Sequence, residues 1–137
     1  MIKFRAWDKE EKEWLSIRTI GFDDDGSLWY LQAWDENEND IDPPYLEDDL
    51  GVKWELLQST GLFDLDGNEI YIGDILKIED EYTQVVFHED NTTYGIYLED
   101  KEGGGNPISD YSTRISLNHI NGNIEGNIYQ HPHLLEE

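Results

Sequence analysis

The chain contains no cysteine, which excludes a disulfide framework and any thiolate metal or redox site. No apolar run approaches the roughly 18 residues of a membrane span, so no membrane association is expected. The opening segment Met1–Asp8 lacks the apolar core of a signal peptide, and a cytoplasmic protein is the expectation. Positive charge is scarce. Among 137 residues, 9 are Lys or Arg and 32 are Asp or Glu, a formal net charge of −23. This argues against direct binding of nucleic acid, because phosphate contacts need clustered bases. Hydrophobic residues make up only 37%, below the roughly 45–50% of average globular chains. Low apolar content with high charge favours disorder. The 12% aromatic content opposes it, since each ring buries about 150–250 Å². A folded, aromatic-cored domain is expected.

The charge is unevenly placed. Residues 1–18 are close to neutral, whereas 19–52 contain eleven acids and no Lys or Arg at all. A compact monomer of this size exposes about 7,400 Å². Evenly spread, the excess charges would lie about 18 Å apart, beyond the physiological screening length of about 8 Å. Imitation of a nucleic acid therefore requires the acids to gather on one face. The segment able to do so holds Asp35, Glu36, Glu38, Asp40, Asp42, Glu47, Asp48 and Asp49, a candidate partner-binding surface. The simpler reading is a solvated loop that keeps the protein soluble.

Alternation dominates the hydrophobic pattern. Ile2, Phe4 and Ala6 alternate with polar neighbours, as do Trp14 and Ser16 with Leu15 and Ile17, so an extended hairpin is expected. Ile20 and Phe22 suggest a third strand, and Leu28–Leu31 a return after the turn Asp23–Ser27. Residues 1–52 thus read as an N-terminal β-meander with an acidic loop, and Pro43–Gly51 as one or two helical turns. In 53–137, short strands recur at 8–12-residue spacing, including a hairpin of Gln84–Phe87 with Tyr94–Leu98 around Glu89–Asn91. That spacing suggests a small barrel or sandwich. The fold class is mainly β, with at most one or two short helices.

Catalytic signals are weak. Asp64–Glu69 resembles the opening of a calcium loop, but its Gly falls at position four rather than six, so a β-turn is the reading. His131 and His133 have a spacing that puts both rings on one side of an extended chain. With His119 or a carboxylate they would suit a divalent metal in a metal-dependent enzyme. The spacing lacks the specificity of a helical His-x-x-x-His, and a surface tail is the simpler reading. No Gly-x-Ser-x-Gly elbow or phosphate loop is present. No catalytic residue, metal site or cofactor is predicted. Of five tryptophans, Trp34 beside the acidic loop is a candidate partner anchor, with a core role the simpler alternative.

Three separated segments resemble the YopX family of phage and prophage proteins. They are Ile2–Lys9, Leu57–Asp64 continuing through Asp66–Leu76, and Gly126–Pro132. The chain departs from the family pattern at Phe63, where members commonly carry a basic residue, and at Gln130-His131-Pro132, where they commonly read Glu-Asn-Pro. The resemblance implies a β-dominated fold with small SH3-like barrel elements in 53–137, a bacterial host cytoplasm, and a homo-oligomer, a ring being one form. It implies no known reaction. Gly61, Gly73 and Asp74 correspond to family turn positions, where Gly permits a left-handed backbone and Asp accepts amide hydrogen bonds. The expected function is a non-enzymatic accessory module that binds itself and an unknown protein partner. The alternatives are an acidic nucleic-acid mimic that sequesters a host DNA-binding protein, and the metal-dependent enzyme.

Overall fold

The computed structural model describes residues 3–89, 94–114 and 116–136. They form two compact units, Lys3–Leu57 and a second that begins at Gln58. The described residues are mainly β, with three short 3₁₀ turns among them. No helix among the described residues is long and apolar enough to cross a membrane.

The N-terminal unit is a meander of β1 (Phe4–Asp8), β2 (Glu13–Phe22), β3 (Leu28–Trp34) and β4 (Tyr45–Leu46), with the start of β5 (Trp54–Phe63) at its other side. The expected second and third strands are one continuous β2. Register shifts at Ile17/Thr19 and Gly21/Phe22 let that single strand twist without breaking. Trp7 faces Trp14 across β1 and β2, ring centroids 4.8 Å apart and edge-on, with the Arg5 guanidinium 4.2 Å above Trp14. Ala6, Leu31, Ala33 and Trp54 form the buried centre. The small Ala side chains leave room for Trp54, whose indole Nε1 donates to the Leu46 carbonyl at 2.9 Å. A buried indole N–H needs such a partner. The acid-rich 3₁₀ turn Glu47–Asp49 occupies the predicted helical position.

In the second unit the end of β5 pairs with β6 (Glu69–Tyr71). A five-stranded antiparallel sheet is built from β7 (Asp74–Ile78), β8 (Glu81–Glu89), β9 (Tyr94–Glu99), β10 (Gly105–Pro107) and β11 (Asn123–Asn127), in the order β10-β9-β8-β7-β11. Its core is Ile70, Leu76, Val85, Leu98, Ile108 and Ile120. The predicted β8–β9 hairpin is present, paired from Gln84↔Glu99 to Glu89↔Tyr94; its expected turn at Asp90-Asn91 lies outside the described residues. The barrel closure implied by the resemblance does not occur among the described residues. The sheet stays open because its outer strand β10 is three residues long and ends in Pro107, which cannot donate to a further ladder.

One local device recurs four times. Asp23–Ser27, Asp35–Asn39, Asp64–Asn68 and Asp100–Gly104 are five-residue turns. In each, the first N–H donates to the fifth carbonyl and the fourth N–H to the first carbonyl. The fourth residue is left-handed: Gly26, Glu38, Gly67 and Gly103, with φ of +89°, +64°, +85° and +88°. This is the three-residue hairpin connection with a bulge. In three of the four, the leading carboxylate Oδ1 also accepts the third and fifth N–H groups, at 2.8–3.0 Å. Part of the acidity is therefore turn chemistry.

Candidate functional site

All eleven acids of residues 19–52 are exposed, and the meander decides where they lie. After β3 the chain turns at Asp35–Asn39 and runs back beside it, with Ile41 N–H bonded to Ala33 O and Tyr45 and Leu46 paired to Leu31 and Tyr30. Asp35, Glu36, Glu38 and Asp40 thus sit at the Trp34 end of β3. Glu47, Asp48 and Asp49 sit at its Leu28 end, about 20 Å away at strand rise. Asp42 lies between them. The eight candidate residues form two groups along one sheet edge. Charges and prolines at an exposed edge also discourage pairing with another chain.

The Trp34 group is partly committed. Asp35 Oδ1 caps its own turn. Asp40 pairs with Arg18 through two contacts, at 2.8 and 3.3 Å. Trp34 itself is half-buried and bridges to Asp40. At the Leu28 end, Glu47–Asp49 are joined by Asp23, Asp24 and Asp25 of the β2–β3 turn. The Asp25 carboxyl is held below its ordinary pKa by the Ser27 backbone and side chain. Here three large apolar side chains stand in water: Phe22, Trp29 and Leu46, 50%, 58% and 44% exposed. Sequence reading missed Trp29. It is the residue passed over where Gly21 pairs with Tyr30 and Phe22 with Leu28, and this bulge takes it out of alternation and against the Tyr30 ring. Its nearness to Asp23–Ser27 was the available signal.

The buried carboxylates serve the backbone. Asp64, 1% exposed, accepts N–H groups from Asp66, Asn68 and Ile124 at 2.8–3.0 Å. Burial alone would raise its pKa, but these amide bonds outweigh it and leave the carboxyl below the ordinary value. The calcium-like segment is therefore a turn pinned to β11. Asp8 accepts from Glu10 and Glu11 N–H and from the Tyr45 hydroxyl, at 2.9, 2.9 and 2.6 Å. Its burial is likewise outweighed and its pKa lies low. Burial and the adjacent Asp8 charge push the Tyr45 phenol above its ordinary range. Asp74 accepts the Tyr71 N–H at 2.8 Å. Gly73 has φ +97° and its N–H donates to Val85 O, while Gly61 has φ +78° within a register shift of β5.

The histidines do not converge. His131 Nδ1 accepts the Asn127 N–H at 3.2 Å, which places its proton on Nε2. The His133 ring is 6.2 Å from that of His131. His119 lies against Phe63, its ring 5.6 Å away. Among the described residues, no three His, Asp or Glu side chains are grouped to hold a metal ion. His88 stacks on Tyr97, 4.4 Å between rings, with its Nε2 2.6 Å from Glu99 Oε2.

No curated protein matches the chain. The crystal structure of protein EF1440 from Enterococcus faecalis is similar, with 27% identity, a TM-score of 0.64 and coverage of 99% of each chain. The family model described as YopX protein matches residues 3–136. With that match spanning both units, the chain belongs to the YopX family.

Proposed function

We propose that this protein is a non-enzymatic binding module of a phage or prophage, acting in the bacterial cytoplasm by associating with itself and with a protein partner. The observation that carries this reading is the use of its carboxylates. The three buried ones among the described residues, Asp8, Asp64 and Asp74, all accept hydrogen bonds that close turns. Groups so engaged are poor acids and bases. The side chains left available are exposed ones, apolar and acidic together, and such surfaces suit recognition. Self-association at a net charge of −23 needs a less acidic face. Outside the acidic segment, the exposed Leu65 and Leu117 of the second unit are candidate apolar contacts. Native mass spectrometry and light scattering at tens of micromolar test this. Assemblies larger than one chain support it, and a strictly monomeric species removes self-association.

A nucleic-acid mimic draws support from the eleven exposed acids of the base-free segment. It is weakened by their separation into two groups and by the Arg18–Asp40 pair. A basic, DNA-binding partner released between about 50 and 500 mM salt would favour it.

A further inference from the structure

We propose that the Leu28 end of the N-terminal unit, where Trp29 and Leu46 stand on the Tyr30 side of the sheet beside six carboxylates of the adjoining turns, docks a protein segment presenting apolar side chains flanked by Lys and Arg. The proposal rests on the binding-module reading and names its partner by chemistry.

The apolar part is built rather than incidental. Gly21, Tyr30 and Leu46 lie in one row across β2, β3 and β4. The Tyr30 ring covers Gly21 so closely that a Cβ there would sit 2.1 Å from it. Trp29 meets the same ring edge-on, 5.3 Å between centroids. Trp29 is thus braced from one side and open on the other, and little of its freedom remains to be lost on binding. Phe22, one step from Gly21 and paired with Leu28, belongs to the opposite face. At the observed exposures Trp29 and Leu46 offer roughly 200 Å² of apolar surface on that side. An exposed, braced Trp is the residue type that anchors interfaces.

The rim selects the partner. Asp23, Asp24 and Asp25 come from the β2–β3 turn, and Glu47, Asp48 and Asp49 from the 3₁₀ turn that packs against β3. None of the six forms an ion pair among the described residues. Lys9 is occupied by Glu55 and by Gly51 O, so its charge is directed away from the rim. A second copy of this chain would bring its own six carboxylates to the contact and be repelled. A basic segment would be steered in by the rim and held by the anchors.

The test uses the full chain and a 15-residue helical peptide of Leu and Lys with one apolar and one basic face. Two controls replace Leu by Ser, or Lys by Glu. The Leu–Lys peptide should bind with a blue shift in tryptophan emission, and each control should bind at least tenfold more weakly. Trp29→Ala and Leu46→Ser, both at exposed positions and checked for unchanged melting, should each weaken binding at least tenfold. The pair Asp24→Asn with Asp48→Asn should chiefly slow association. Absence of binding overturns the proposal. So does equal binding of the Ser peptide, which would make the surface purely electrostatic, as in a nucleic-acid mimic. Loss of self-association in Trp29→Ala also overturns it, since the patch would then be a self-interface. If the peptide fails while native mass spectrometry still shows oligomers, the docking surface falls and the binding-module reading stands.

Discussion

Replacing Asp64 separates the contributions of one buried carboxylate. In Asp64→Ala, three N–H groups lose their acceptor: Asp66, Asn68 and Ile124. The first two belong to exposed turn residues and can turn to water, costing about 0.5–1 kcal/mol each. The Ile124 N–H lies at the strand junction and costs about 1–2 kcal/mol. The sum is about 3 kcal/mol, a large share of a typical 5–15 kcal/mol. Asp64→Asn keeps Oδ1 for the turn but can set an amide N–H₂ against the Ile124 N–H and the Asn68 side chain. It should cost about 2 kcal/mol, nearly all from the junction with β11. Urea unfolding followed by far-UV circular dichroism is the assay, because all five tryptophans lie in residues 3–57 and would report the other unit. The sign with pH follows from the depressed pKa. The folded state binds the proton more weakly, so the carboxylate's contribution is full above the unfolded value of about 3.9. It is lost as pH falls through the folded value. The gap between Asp64→Asn and the natural chain should therefore close in acid. A difference under about 0.5 kcal/mol at pH 7, or a gap that persists unchanged to pH 2, refutes the reasoning.

Three further outcomes are expected. Glu38→Gly should raise the unfolding free energy by about 0.5–1 kcal/mol, read as a higher urea midpoint at constant slope, because Glu38 holds φ +64° where the other three turns place Gly; a decrease contradicts the turn assignment. Gly126→Ala should cost about 1–3 kcal/mol in the same assay, since its Cβ would lie 2.5 Å from His131 Nδ1 and displace the ring that accepts the Asn127 N–H. In a spectrophotometric titration, Tyr45→Phe should remove an ionisation step lying above the ordinary tyrosine range and should cost about 1.5 kcal/mol, the worth of a charge-assisted bond to Asp8.

The parts legible in the sequence were those governed by neighbours in the chain. Phe4–Asp8 and Glu13–Ile17 read as a hairpin because alternation and a polar turn act over a dozen residues. Asp23–Ser27 and Asp64–Asn68 read as turns because Asp and Gly announce them. Asp74 was read as an amide acceptor, and it bonds the Tyr71 N–H. What could not be read depends on partners distant in the chain. The pairing of β7 with β11 joins Ile75 to Gly126 across a bulge, and no local pattern encodes it. Barrel closure was implied by likeness and fails for want of a long, pairable outer strand. Trp29 stands in water at the point where the register of β2 with β3 slips from Gly21–Tyr30 to Phe22–Leu28, and no local pattern announces that bulge.

That long-range pairing has a consequence for synthesis. Asp74–Ile78 leaves the ribosome well before the strand that covers its flank, Asn123–Asn127. At about 5–20 residues per second the delay is roughly 2–10 s. For that interval an aliphatic ribbon, Ile75-Leu76-Lys77-Ile78, has one side of its ladder unfilled, and Lys77 is the single charge interrupting it. The nascent chain is most vulnerable to sticking to its neighbours there, and that lysine stands as its gatekeeper.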